Sequence, residues 1–290
     1  MLAFKKILFP TDFSTTAGKA LAHAIRLADF DGGEVIVQHV VGNYFVKHPH
    51  WATLFDVHEL QKYMDGYIDA QMAKTLPKDT GNVRVRTEIS KGKPAEEIAA
   101  LADRELVDLV VMGSAKGVVT NKVIRLTTRP VLAISAAQPG PDEIGLQKLT
   151  KILVATDFSE HSKRVVQYAF DLKRIFNASV YMVYVIETPH AIEWAIRQGY
   201  FMHGMDKMRE WAAHQLINLT PDEFIKDPSV IRIVESGSPG DVIANVAFEV
   251  GADLTILGTH EYGTVHKHVI GTTTDKLLTK TSTPILTVKL

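Results

Sequence analysis

The segment Ile7-Leu8-Phe9-Pro10-Thr11-Asp12-Phe13-Ser14 returns 145 residues later as Ile152-Leu153-Val154-Ala155-Thr156-Asp157-Phe158-Ser159. In both copies an apolar run breaks into Thr-Asp-Phe-Ser. Runs so short suit a buried strand better than a helix, and the serine that closes each copy is suited to cap a helix that follows. Gly92 returns at the same offset as Gly237, and Asp108–Gly113 as Asp253–Gly258. Beyond that glycine the offset becomes 154: Asn121-Lys122 matches Asp275-Lys276, and Thr128-Arg129-Pro130-Val131-Leu132 matches Ser282-Thr283-Pro284-Ile285-Leu286. The first copy therefore lacks nine residues that the second has. A period this long means two copies of a domain and not a solenoid of short repeats.

Outward from these blocks, each half alternates strands and helices. Ala17, Ala20, Leu21, Ala24, Leu27 and Ala28 form an apolar stripe at helical spacing. Val35–Val41 and Val180–Ile186 read as second strands, followed by helices over His58–Leu76 and Phe201–Leu219. Third strands are expected over Val83–Ile89 and Val230–Val234. Pro94 and Pro239 stand where the first residue of a helix would stand, with Ile98, Ala99 and Ala102, and Ile243, Ala244 and Ala247, facing inward. Val107–Met112 and Leu254–Leu257 are fourth strands, Val131–Ile134 and Ile285–Val288 fifth strands. Apolar strands alternating with helices predict an α/β fold: two tandem five-stranded parallel sheets with helices on both faces. The domains are expected at 1–136 and 149–290. The linker between them, 137–148, contains the turn-rich Gln138-Pro139-Gly140-Pro141-Asp142-Glu143.

The composition agrees with an ordinary globular chain. It has 290 residues, 46% hydrophobic and 22% charged, with a formal net charge of −1. No strong field is available to drive binding to nucleic acid or to an anionic membrane surface. Cysteine is absent, which excludes disulfides, thiolate catalysis and cysteine-ligated zinc. The N-terminal segment does not read as a signal peptide, and no apolar stretch reaches the ~20 residues that span a bilayer.

In open α/β sheets, ligands bind beyond the carboxyl ends of the strands. There the second half offers Ala155-Thr156-Asp157, Val185-Ile186 and Gly258-Thr259, followed by a loop from His260 to Thr273. Gly271-Thr272-Thr273 precedes a helical stretch reaching about Lys280. A glycine and hydroxyls at a helix N-terminus present donors to phosphate; they equally make a glycine turn with a threonine cap. Neither GxxxxGK[ST] nor GxGxxG occurs.

The blocks KKILFPTDFS, QHVV, the Gly92 turn, DLVVMGS and RPVLAIS, most of them present twice in one order, resemble the universal stress proteins. The whole chain resembles their tandem form. The resemblance implies a Rossmann-like fold of the adenine-nucleotide-alpha-hydrolase type, two domains paired within the chain as a pseudo-dimer, and further association of two chains into a homodimer. It also implies a cytoplasmic location and a stress-response, ligand-sensing role with an adenine nucleotide, ATP, as ligand. Family members that bind ATP carry G-x2-G-x9-G-[ST] after strand four.

By that resemblance the adenosine end maps onto Thr156, Asp157 and Val185, with Ala155 in place of the proline seen at Pro10. The phosphate end maps onto Gly258, Gly271, Thr272 and Thr273, flanked by Thr259 and His260. Glu261 occupies the place of the middle glycine. Its carboxylate would repel a triphosphate unless Mg²⁺ or the nearby histidines offset the charge. In the first half the nine missing residues remove this loop, so nucleotide is expected in the second half.

Other residues admit two readings each. His260, His266 and His268, beside Glu261, are either Zn²⁺ ligands or a solvated loop. His48-Pro49-His50-Trp51 is a metal site or an exposed turn, and His39 reads as a packed strand residue. The aromatic stretch from Ile192 through Trp194 to Tyr200, Phe201 and Met202 reads as packing, or else as a ligand wall or partner surface. Asp12 and Asp157 are conceivable general bases, but no Ser-His-Asp or paired-carboxylate set accompanies them. The alternatives to a nucleotide sensor are a slow ATPase and a stress protein that binds metal or protein without nucleotide.

Overall fold

The computed structural model describes residues 4–30, 32–42, 57–76, 80–114, 117–135, 149–189, 192, 194, 198–259 and 272–289. They fall into two compact units, Ala3–Arg129 and Pro130–Leu290.

The first unit runs β1 (Lys6–Thr11), α1 (Thr15–Asp29), β2 (Glu34–Val41), α2 (Val57–Thr75), β3 (Arg84–Lys91), α3 (Pro94–Arg104), β4 (Leu109–Ser114) and α4 (Val118–Leu126). Its strands lie in the order β3-β2-β1-β4, all parallel. Ile7, Leu8 and Phe9 of β1 are wholly buried, which is why the strand reads as an unbroken apolar run and does not alternate. All six residues of the α1 stripe are buried, and Ser14 caps the helix by accepting from Ala17 N at 3.2 Å.

The second unit runs β5 (Val131–Ser135), β6 (Lys151–Ala155), α5 (Glu160–Phe176), β7 (Ser179–Glu187), α6 (Met202–Leu219), β8 (Val230–Gly237), α7 (Pro239–Val250), β9 (Leu254–Thr259), α8 (Thr272–Lys280) and β10 (Ile285–Lys289). The strand order is β5-β10-β9-β6-β7-β8. From β10 to β8 every pairing is parallel. Ile152, Leu153 and Val154 repeat the full burial of β1. Ser159 caps α5 through Ser162 N at 3.1 Å, and Gly251 ends α7 in the left-handed region at φ 63°.

The α/β class with a mostly parallel sheet thus stands, and the two fifth strands pair with each other. Strand β5, read as the last strand of the first repeat, packs in the second unit. It runs antiparallel to β10, in the register Ile285↔Ala133, Leu286↔Leu132 and Thr287↔Val131. Thr287 Oγ1 donates to Val131 O at 3.3 Å. Val131, Leu132, Ala133 and Ile134 are each at most 2% exposed. A strand so apolar would be an aggregation-prone edge if it were left unpaired. Among the described residues no helix is long and apolar enough to cross a membrane.

Candidate functional site

The end of β6 turns on its own side chains. Thr156 N donates to Val183 O at 3.1 Å, the last tie to the neighbouring strand. Phe158 N then donates to Thr156 Oγ1 at 3.1 Å, and Ser159 N to Asp157 Oδ1 at 3.0 Å. These side chains take the place of a ladder partner for two amides. The turn forces Phe158 to φ 63°, an unfavourable region for a residue with a Cβ. The Phe158 ring stacks on Tyr184 with centroids 4.3 Å apart, and the edge of Trp211 lies 5.4 Å away. Thr156 Oγ1 donates to Ser162 Oγ at 2.9 Å, and Ser162 Oγ donates to Ser159 O at 2.9 Å.

Beyond this turn a cavity of about 310 Å³ opens at the carboxyl ends of β6, β7 and β9. Its lining brings together the predicted Ala155, Thr156, Asp157, Val185, Gly258, Thr259 and Thr273. Sequence reading missed Ser162, Val183, Tyr184, Glu187, Leu257 and Thr274, and also Pro239 and Ile243 from α7. Tyr184 and Glu187 flank Val185 on β7 and were within reach of the same strand-end reasoning; Ser162 enters from the first turn of α5. Burial raises the Tyr184 phenol pKa, and the Asp157 carboxylate adds to the rise. Thr259 Oγ1 is buried without a hydrogen-bond partner among the described residues.

Helix α8 supplies Thr273 and Thr274 to the cavity and packs closely on α7. A Cβ on Gly240 would come within 2.8 Å of Lys276 Cβ. Asp241 pairs with Lys280, and with Lys276 at 3.5 Å, while Lys276 Nζ donates to Ser238 Oγ at 2.9 Å. Hydrogen bonds from Lys280 and Ser238 and the charges of both lysines lower the Asp241 pKa to about 2.

The first repeat reproduces the turn without the long loop. Phe13 N donates to Thr11 Oγ1 at 3.0 Å, Ser14 N to Asp12 Oδ1 at 3.0 Å, and Phe13 sits at φ 62°. Its ring stacks on His39 at 4.4 Å, and His39 Nδ1 donates to Thr11 O at 2.8 Å, which places the ring proton on Nδ1. His39 is thus packed, as read. Three residues separate β4 from α4, whereas twelve separate β9 from α8. Gly117, at φ 72°, turns the chain directly into α4, and Thr120 Oγ1 donates to Gly113 O at 3.3 Å. A Cβ on Gly113 would lie 3.0 Å from Ala17 N, so the start of α1 presses on the end of β4.

His260, Glu261, His266, His268 and Gly271 lie outside the described residues, as do His48–Trp51 and the linker 137–148. Thr272 opens α8. Among the described residues no group of three His, Cys, Asp or Glu is placed to hold a metal. Trp194, Tyr200 and Phe201 are more than 60% exposed and Met202 is 46% exposed. The reading of that stretch as packing does not hold for these four exposed side chains, whereas Trp211 inside α6 meets Phe158.

A profile of the universal stress protein family matches residues 3–135 and again 148–289. The chain belongs to the universal stress protein family. Among universal stress proteins it resembles one from Methanocaldococcus jannaschii, 31% identical over 154 residues, a match covering 45% of this chain and 94% of that protein. A second from the same organism is 33% identical over 141 residues, covering 45% and 82%. A solved universal stress protein from Archaeoglobus fulgidus is similar over 99% of this chain and 98% of its own, with a TM-score of 0.63 and 19% identity. At that identity the likeness speaks for the fold: two universal-stress domains in one chain.

Proposed function

We propose that the second repeat of this universal stress protein binds an adenine nucleotide in the β6–β7–β9 pocket. The protein then acts as a cytoplasmic ligand-sensing module in a stress response, and not as a high-turnover enzyme. One observation carries the reading: Thr156, Asp157, Val185, Gly258 and Thr273, dispersed over more than 100 residues of sequence, line one cavity. That cavity lies beyond strand carboxyl ends, where open α/β sheets bind ligands. Apolar Val183, Val185 and Leu257 suit a base, and the start of α8 with Thr273 suits an anion.

Titration calorimetry with ATP, with and without Mg²⁺ or Zn²⁺, tests this on the wild type and on Thr273→Asp. The variant sets a carboxylate at a helix N-terminus, where it favours the helix but opposes a phosphate. Saturable heat in the wild type and its loss in the variant are expected. Absence of heat with every adenine compound would remove the proposal, and steady phosphate release from ATP would replace it with the ATPase reading.

A further inference from the structure

Helix α6 carries two apolar seams, and only one of them is buried. Met205, Ala212 and Leu216 are buried where the helix packs on β7 and β8. The second seam is Phe201, at the N-cap, then Gly204, Met208 and Trp211. Its steps of three, four and three residues make each member the next one's neighbour on the helix surface. Phe201 is 67% exposed, Met208 46% and Trp211 50%, even though Trp211 also meets Phe158. At about 100° per residue, Asp206, Arg209 and Glu210 fall on the other faces of the helix, with Asp206 paired to Arg209 at 3.9 Å. Gly204 is exposed, and a Cβ there would meet no atom within 4 Å. It is not among the glycines with positive φ. Neither backbone strain nor a close neighbour among the described residues calls for glycine at this place, although glycine weakens a helix relative to alanine.

We infer that this seam is a contact between two copies of the chain, each laying its α6 antiparallel on the other's about a two-fold axis. The spacing is a palindrome: aromatic, glycine, methionine, aromatic reads in reverse as aromatic, methionine, glycine, aromatic at the same steps. With the axis level with Asp206, Phe201 faces Trp211 of the second copy and Gly204 faces its Met208. The same two contacts recur on the other side of the axis. Ring then meets ring, and the flexible thioether of Met208 fills the space that Gly204 leaves open. A two-fold interface has to be self-complementary in this way, whereas an unrelated partner imposes no such symmetry. The extent is also suitable. Tyr200, Phe201 and Trp211 together expose roughly 350 Å², at about 200 Å² per aromatic side chain, and Met202 and Met208 enlarge the patch. That is the size of the largest patch on a monomer, roughly 300–600 Å². It supplies the apolar centre of an interface of about 800 Å² per partner.

The test is sedimentation velocity on the full chain over a concentration series, with Gly204→Gln and Met208→Glu beside the wild type. The wild type is expected to be dimeric at about 10 µM, and each variant to weaken association at least about tenfold. Gly204→Gln separates an interface from a merely structural role. It places a better helix former in open space, so its urea midpoint in dilute solution is expected to be no lower than that of the wild type. Cross-linking reads the register. The chain contains no cysteine, so Gly204→Cys and Met208→Cys chains, mixed under mild oxidation, are expected to link to each other faster than either links to itself. A wild type that stays monomeric at every concentration would overturn the inference and leave the seam to a helix of another protein. Dimers that tolerate both variants, or equal cross-linking in mixed and separate samples, would overturn it by placing the contact on another face or in another register.

Discussion

The hydroxyl of Thr156 donates to Ser162 Oγ at 2.9 Å inside the wall of the pocket, and Ala17 stands at the matching place in the first repeat. The bond joins the end of β6 to the first turn of α5 in the second repeat alone. Ser162→Ala would leave the buried Thr156 hydroxyl without its acceptor. A loss of about 1–3 kcal/mol is expected, read as a lower urea midpoint at unchanged m-value. A change within about 0.5 kcal/mol would mean that the wall relaxes around the lost acceptor.

Phe158 combines a left-handed backbone with a three-ring cluster. It sits at φ 63° and stacks on Tyr184 at 4.3 Å. Phe158→Ala keeps the backbone strain and loses the stack, whereas Phe158→Gly loses the stack and relieves the strain. Both are expected to destabilise, with the glycine variant the more stable of the two by about 1 kcal/mol. Thermal unfolding followed by circular dichroism gives the ranking, and Trp211 fluorescence is expected to shift in both because its ring meets Phe158 edge-on at 5.4 Å.

Gly240 sets how closely α8 approaches α7. A Cβ there would lie 2.8 Å from Lys276 Cβ, an atom too close to the backbone to swing away. Gly240→Ala is expected to push α8 outward and cost about 1–3 kcal/mol of stability. Because α8 carries Thr273 and Thr274 into the cavity, calorimetry is also expected to show weaker binding of any adenine ligand. Unchanged stability would show that the helix pair adjusts without strain.

His23 on α1 is 2% exposed, and its Nδ1 has no hydrogen-bond partner among the described residues. Burial, then the Arg26 charge, lower its pKa from 6.5 to about 4. The folded protein holds the ring neutral where the unfolded chain takes up a proton. Stability from this group is therefore full above pH 6.5 and declines as pH falls toward 4. The decline amounts to up to about 3 kcal/mol, at 1.36 kcal/mol per unit. His23→Leu is expected to flatten that part of the profile in urea titrations at stepped pH.

Local pattern accounts for what was readable in advance. The α1 stripe, the serine caps and the prolines opening α3 and α7 depend on residues within a turn or two of each other, so periodicity and capping chemistry disclose them. Thr156, Asp157 and Gly258 were legible as site candidates because they stand at strand ends next to the repeated blocks. Ser162 and Ile243 were not, since a helical residue shows no sign of which wall it joins. Trp211 and Phe158 meet across 53 positions of sequence, and nothing local to either announces the contact.

The amino-acid sequence by itself determined two repeats, their strand–helix alternation and the loss of nine residues from the first, because each is written in residue order. The tertiary structure decided the rest. It set β5 antiparallel to β10, because an apolar strand needs a partner for its backbone groups. It gathered Asp157 and Glu187 onto one wall, with Lys276 and Lys280 held at Asp241. Such a wall is made of groups brought close in space, and their Coulomb interactions depend on that distance and not on separation along the chain.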